Sequence, residues 1–202
     1  MTVTGAEISD GVLWLEAISG TERSFAVLYD RHRERVFRSA YRKLGAVADA
    51  EDVVAMVFLE AWRLRRKVRI VDGSVLPWLL AVTTNTSLNF TRAQRRYRRM
   101  LDTLPPSLDE ADHAASVEQL VDGEKRTESL RRALRKLSSG DRAVVDMCLI
   151  EELPQSVVAR ALDIPEGTVK SRLHRARRQL ARELESDGVL EKDLVDVQEP
   201  NR

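Results

Sequence analysis

Residues 154–180, "PQSVVARALDIPEGTVKSRLHRARRQL", constrain the fold more tightly than any other part of this chain. Proline suits the first turn of a helix, where its missing N–H costs nothing. The text therefore predicts a short helix from Pro154, a tight turn near Asp163 and a new helix from Pro165. Within that new helix, Val169, Leu173, Ala176 and Leu180 follow one another at helical steps, so they share one face and form its buried stripe. Lys170, Ser171, Arg172, His174, Arg175, Arg177 and Arg178 occupy the rest of its surface. A basic run alone is most often a solvated face. A short helix, a turn and a basic helix in this order form a helix-turn-helix pattern, whose second helix enters a major groove by its N-terminal residues. Arginine can meet both acceptors of guanine there, while further cations hold phosphates.

That much positive charge in one helix contrasts with the whole chain, which balances 33 Lys and Arg against 32 Asp and Glu for a net charge of +1. The balance is a sum of opposed patches, which a bulk charge conceals. A length of 202 residues with 43% hydrophobic and 32% charged residues suits one ordinary domain or two small ones. Few glycines and aromatics, with abundant Leu, Ala, Arg and Glu, favour an all-α fold. The single cysteine, Cys148, excludes an internal disulfide framework and a multi-cysteine zinc site. It lies in the apolar run "AVVDMCLI" and is expected to be a buried core thiol. His32, His113 and His174 show no metal-ligand spacing. The sequence contains no Gly-rich phosphate loop and no local nucleophile–His pair, so no catalytic residue, cofactor or small-molecule substrate is expected. No apolar run approaches the roughly 20 residues of a membrane span, and the N-terminus lacks the basic and apolar regions of a signal peptide. A cytoplasmic protein without direct membrane insertion is expected.

The chain divides by composition. Residues 10–100 read as helices. In "SFAVLYDRHRERVFRSAYRKL", Phe25, Leu28, Val36, Phe37, Ala40, Tyr41 and Leu44 fall at helical spacings. In the next segment Asp49 is a candidate cap, Glu51 and Asp52 fill the first turn, and basic residues follow at the end, which complements the helix dipole. Val53, Val54, Val57, Phe58, Ala61 and Trp62 give that helix its apolar stripe. "RIVDGSV" is a loop with an Asp-Gly turn, and a further helix starts near Pro77. That helix carries Asn85 and Asn89 one turn apart on one face, followed by Arg92, Arg95, Arg96, Arg98 and Arg99. An amide can both donate to and accept from a base edge, including one in unpaired DNA. Residues 101–123 contain Pro105 and Pro106 and the acids Asp102, Asp109, Glu110, Asp112, Glu118 and Asp122, and read as an extended acidic linker. Residues 124–186 form a second helical unit, broken at Ser138-Ser139-Gly140, with Asp141 as cap or first-turn acid. Residues 187–202 are a weakly patterned tail.

These stretches together resemble the extracytoplasmic-function (group IV) sigma factors of bacterial RNA polymerase, over most of the chain. "DAEDVVAMVFLEAWR" is similar to the segment by which the family binds the polymerase clamp helices. "PWLLAVTTNTSLNFTRAQRR" is similar to the helix that opens and reads the −10 element, and "GTVKSRLHRAR" is the most specific run of the −35 helix-turn-helix. The resemblance implies two small helical domains: sigma region 2 at 10–100 and a region 4 helix-turn-helix at 124–186. It implies a linker that threads toward the polymerase active-site cleft and RNA exit path. It places Asn85 at the base-reading position of the −10 helix, with Asn89, Arg92, Arg95 and Arg96 beside it. Lys170, Ser171, Arg172, His174, Arg175 and Arg178 fall on the −35 helix, and Asp49, Glu51, Asp52 and Glu60 on the polymerase-binding segment, with Phe58 assigned to the core. The partners implied are core RNA polymerase, promoter DNA and an anti-sigma factor. Asp163 stands where the family usually has Gly, Asn89 where many members have Asp, and Ala55 and Val57 where Gln and Thr are usual. The rival reading is a helix-turn-helix regulator of duplex DNA that never joins polymerase. The acid-led helix from Asp49 and the Asn85 helix argue against it.

Overall fold

The computed structural model describes residues 8–101 and 122–189, all of them helical or connecting segments. The first unit holds α1 (Asp10–Ile18), α2 (Glu22–Leu44), α3 (Val47–Arg63) and α4 (Leu76–Leu101). Ser9 caps α1 by accepting from Val12 N–H. Gly45, at φ 77°, ends α2 in the left-handed conformation that a residue without Cβ adopts freely. Asp49 is not the cap of α3. The helix begins at Val47 after an extended Ala46, so Asp49 sits in the first turn, and its carboxylate accepts both bonds from Gln94 of α4 at 3.1 Å.

The apolar stripe of α3 is buried as its spacing requires: Val53, Val57 and Ala61 are wholly enclosed, and Phe58 is a core residue. Around it Phe25 stacks edge-on against Trp62 and Tyr29 against Phe58, with centroids 5.1 and 4.7 Å apart. Val71 and Ser74 pair across a turn in which Asp72 and Gly73 both have positive φ. Asp10 fixes this turn. Its buried carboxylate accepts from Ser74 Oγ (2.8 Å), Val75 N–H (3.0 Å), Arg31 (2.6 Å) and His32 (2.7 Å), and so joins α1, α2 and the start of α4.

The second unit holds α5 (Asp122–Lys136), α6 (Ser139–Val145) with a π-helical turn over Asp146–Ile150, α7 (Gln155–Leu162) and α8 (Glu166–Ser186). The helix break lies at Leu137 and Ser138, and Ser138 is the cap that Asp141 N–H bonds at 3.1 Å. Asp163, at φ 58°, takes the left-handed position between α7 and α8, and Ile164 N–H closes the turn on Ala159 C=O at 3.0 Å. Aspartate tolerates this conformation better than most side chains, so the turn does not need glycine. Val169, Leu173 and Ala176 are buried as expected, with Leu180 packed at the margin. Cys148 is half-buried against the same cluster rather than enclosed, and burial pushes its thiol up from the usual range. Of the acidic segment, residues 102–121 lie outside the described residues, as do 190–202 of the tail, and Asp122 opens α5.

The two units pack on one another. Val71 and Ala81 of the first belong to the apolar cluster of the second, alongside Val144, Met147, Val157 and Val158. Ion pairs surround this seam. Glu151, 1% exposed, receives Arg35 at 3.0 Å and also Arg42. Arg160 grips Asp72 with two bonds of 2.8 and 2.7 Å, and Arg69 pairs with Asp163. Lys43 is buried opposite Asp146 at 3.5 Å, a long contact. Burial lowers the Lys43 ammonium from its ordinary range, and the nearby Asp146 and Glu151 offset part of that. A cleft of about 460 Å³ lined by Arg69, Ile70, Val71, Ala159, Arg160 and Asp163 leaves the seam incompletely filled.

Candidate nucleic-acid interface

The first half of α4 is a core helix and the second half a surface one. Leu79, Leu80, Thr83 and Thr84 are buried, and the two threonine hydroxyls donate back to Leu79 and Leu80 carbonyls. Beyond them Asn85 and Asn89 emerge on one exposed face, and Arg92, Arg95 and Arg96 continue it into solvent. The structure thus brings together the whole set that the sequence picks out on this helix. Gln94, which the sequence did not single out, anchors it by its bonds to Asp49.

On α3, Glu51 and Asp52 are exposed, and Glu60 is half-exposed and bonded to Arg63 at 3.2 Å. Asp49 turns away from them toward α4. Between Asp52 and Glu60 the helix presents Met56 and Leu59, 44% and 61% exposed. These two apolar side chains went unremarked in the sequence. The signal was present, because a stripe through positions 53, 54, 57, 58 and 61 leaves 52, 56 and 59 facing outward. The result is an apolar strip rimmed by carboxylates.

On α8, Lys170, Ser171, His174, Arg175, Arg177 and Arg178 are exposed, and Arg172 is half-exposed. His174, Arg175, Arg178, Gln179 and Arg182 line a shallow depression of about 280 Å³. Arg175 is not free on this face. Its Nε donates to Asp141 Oδ2 at 3.1 Å and its Nη2 to Asp141 Oδ1. Burial of Asp141 works against ionisation, but the bonds from Arg175 and Ser138 outweigh it and hold the carboxyl below the usual range. No group of His, Cys, Asp and Glu among the described residues could hold a metal ion, and no helix among them is long and apolar enough to cross a membrane.

Exposed amides and cations on two helices are groups that can meet the phosphates and base edges of a nucleic acid. The comparisons agree. Residues 28–97 match Sigma-70 region 2, and residues 127–180 match Sigma-70, region 4. The chain is 34% identical over 158 residues to the ECF RNA polymerase sigma factor SigE of Mycolicibacterium smegmatis, covering 78% of this chain and 60% of that one. It is 32% identical over 166 residues to the ECF RNA polymerase sigma factor SigL of Mycobacterium tuberculosis, covering 80% of this chain and 89% of SigL. Among solved structures it is similar to CnrH, captured in complex with the cytosolic domain of CnrY. The TM-score is 0.57 and the identity 26%, across 88% of this chain and 98% of CnrH. The two matched regions, in the order the helices run, and relatives aligned over most of this length lead to one conclusion: the chain belongs to the extracytoplasmic-function sigma factors of RNA polymerase.

Proposed function

We infer that α3 seats this sigma factor on core RNA polymerase, that the exposed half of α4 reads and helps open the −10 element, and that α8 reads the −35 element. The observation that carries this is the separation of labour on the surface. Amides and arginines sit on α4, cations on α8, and an apolar strip with carboxylates on α3. A regulator that bound duplex DNA alone would have no use for the third. The protein performs no bond chemistry itself. It supplies specificity to the polymerase, and retention of the chain by purified core polymerase, followed by promoter-dependent transcription, is the direct test. Binding to duplex DNA without retention by polymerase would favour the rival regulator.

The packed arrangement is a state from which DNA cannot be read at both sites. Elements named −10 and −35 lie some 25 base pairs apart, roughly 85 Å at about 3.4 Å per pair. A globule of this size is roughly 40 Å across, from a radius of gyration near 15 Å. The units must part, and the 20 residues between Leu101 and Asp122 reach at most about 70 Å when extended. Closure therefore stores the factor in an inactive form. An anti-sigma factor that binds the closed form would keep it so.

Two measurements test the assignments. Asp52→Arg reverses a charge on the exposed strip and is expected to weaken binding to core polymerase about tenfold. The fold should change by no more than ~0.5 kcal/mol, because Asp52 is a surface residue. Equal affinity in the folded variant would move the docking face off α3. Asn85→Ala is expected to cost about 1–3 kcal/mol at one −10 position and to relax the base preference there. Permanganate reactivity of the melted strand and a comparison of −10 variants would register it. Wild-type values in both would remove Asn85 from the site.

A further inference from the structure

The recognition helix does not stand alone: the N-terminal end of α6 bonds one of its arginines, Arg175, and lies against another, Arg172. Asp141, 3% exposed, is fixed by its own position in the first turn and by Ser138, whose hydroxyl donates to Asp141 Oδ2 at 2.8 Å. From there it takes the Nε and Nη2 hydrogens of Arg175. Next to it, Arg172 lies against Gly140 so closely that a Cβ there would meet its Nη1 at 2.8 Å and its Cζ at 3.1 Å. A guanidinium has five N–H groups in a rigid plane. Asp141 uses two of them, along one edge. The other hydrogen of Nη2 and one of Nη1 form a second edge, the remaining Nη1 hydrogen faces the Cδ side, and the side chain is 61% exposed. That second edge is the pair of parallel donors that fits guanine O6 and N7.

We propose that Asp141 is a positioning residue for −35 recognition: it holds Arg175 by one edge so that the other is presented, already oriented, to a guanine, while Gly140 lets Arg172 lie alongside. This deepens, and rests on, the reading of α8 as the −35 helix. An unheld arginine samples many rotamers and meets phosphates as readily as bases. A held one loses less freedom on binding and is tied to one location. Asp141 touches no DNA in this scheme. Its removal therefore alters which base is chosen more than how tightly DNA is held.

The experiment uses the full chain in complex with core polymerase and a promoter library randomised across the −35 element, read for Arg175→Ala, Asp141→Asn and the double variant. Arg175→Ala is expected to abolish the preference for guanine at one position. Asp141→Asn is expected to reduce that same preference about tenfold, leaving the other positions as they were. The double variant should match Arg175→Ala, because Asp141 acts only through that arginine. Arg178→Ala, further along the helix, should lower all promoters alike and flatten the salt dependence, the mark of a phosphate contact. If Arg175→Ala relaxes one position and folded Asp141→Asn does not, the positioning role is wrong while the −35 reading stands. If Arg175→Ala leaves every base preference intact, Arg175 is no reader, and the proposal falls with that assignment. Should Asp141→Asn fail to fold, nitrogen-detected resonance on the wild-type chain decides. A slowly exchanging Arg175 Nε–H, retained in the DNA complex, is expected, and a freely exchanging one overturns the proposal.

Discussion

Replacing Arg35 and Arg42 together by alanine is expected to open the closed form. Glu151 lies 1% exposed at the seam, and these two arginines are the partners that bond its carboxylate. Removing both strands a buried charge, which costs about 3–5 kcal/mol when its partner is deleted. Lys43 remains nearby but is itself buried and faces Asp146. The arginines are 40% and 42% exposed, so their own release to water is cheap, and the penalty falls on Glu151. The molecule can escape that penalty by parting its units and hydrating the carboxylate. The radius of gyration of the full chain in solution should therefore rise, and binding to core polymerase should become faster. Breaking Arg160–Asp72 instead, where the side chains are 53% and 61% exposed, should cost no more than about 1 kcal/mol. An unchanged radius in the Arg35→Ala, Arg42→Ala double variant would show that the apolar contacts of Val71 and Ala81 hold the closed form without the ion pairs.

The second large effect is expected at Asp10. Asp10→Ala leaves the Ser74 hydroxyl, Val75 N–H and His32 without their acceptor, and leaves Arg31 with the Ile8 carbonyl but no carboxylate. Several buried donors lose a charged acceptor at once, so a loss of about 3–5 kcal/mol is expected in urea unfolding followed by tryptophan fluorescence. Trp14 lies in the same helix, α1. Burial pushes the Asp10 carboxyl upward, but the bonds from Val75, Ser74 and Arg31 and the field of His32 bring it below its ordinary value. A carboxyl depressed by folding stabilises the protein above its unfolded value. That contribution disappears as the pH falls through the depressed folded value. Stability of the wild type should thus decline through the acid range more steeply than that of Asp10→Ala. Parallel acid limbs would mean that Asp10 is not the group being protonated.

Much of this protein was legible in its sequence because its signals are local. The stripe of Val169, Leu173 and Ala176 fixed which way α8 faces, and so placed Lys170, Ser171 and His174 in solvent. Pro154, Asp163 and Pro165 marked the helix-turn-helix, and Asn85 and Asn89 shared a face as their spacing required. Some local readings failed by a few residues: Glu51 and Asp52 lie past the first turn of α3, and Ser139 and Gly140 belong to α6 rather than to the break before it. Asp49 has the chemistry of a cap, but Ala46 precedes the helix, and the carboxylate is used by Gln94, 45 residues away. The exposed Met56 and Leu59 could have been read as the complement of the buried stripe.

What the sequence alone determined is most of the helices, their buried faces and the family of the chain, since helix periodicity and capping act over a few residues and leave their pattern in the text; the separate α1 and the π-helical turn over Asp146–Ile150 were not read from it. What only the tertiary structure decided is which charges meet. Arg35 and Glu151 are 116 residues apart, Arg160 and Asp72 are 88 apart, and Arg175 and Asp141 are 34 apart. In a chain with 33 basic and 32 acidic residues, every cation has many acids to choose from. The choice is made by the apolar packing that brings helix faces together, and a charge pair leaves no spacing in the sequence from which that choice could be read.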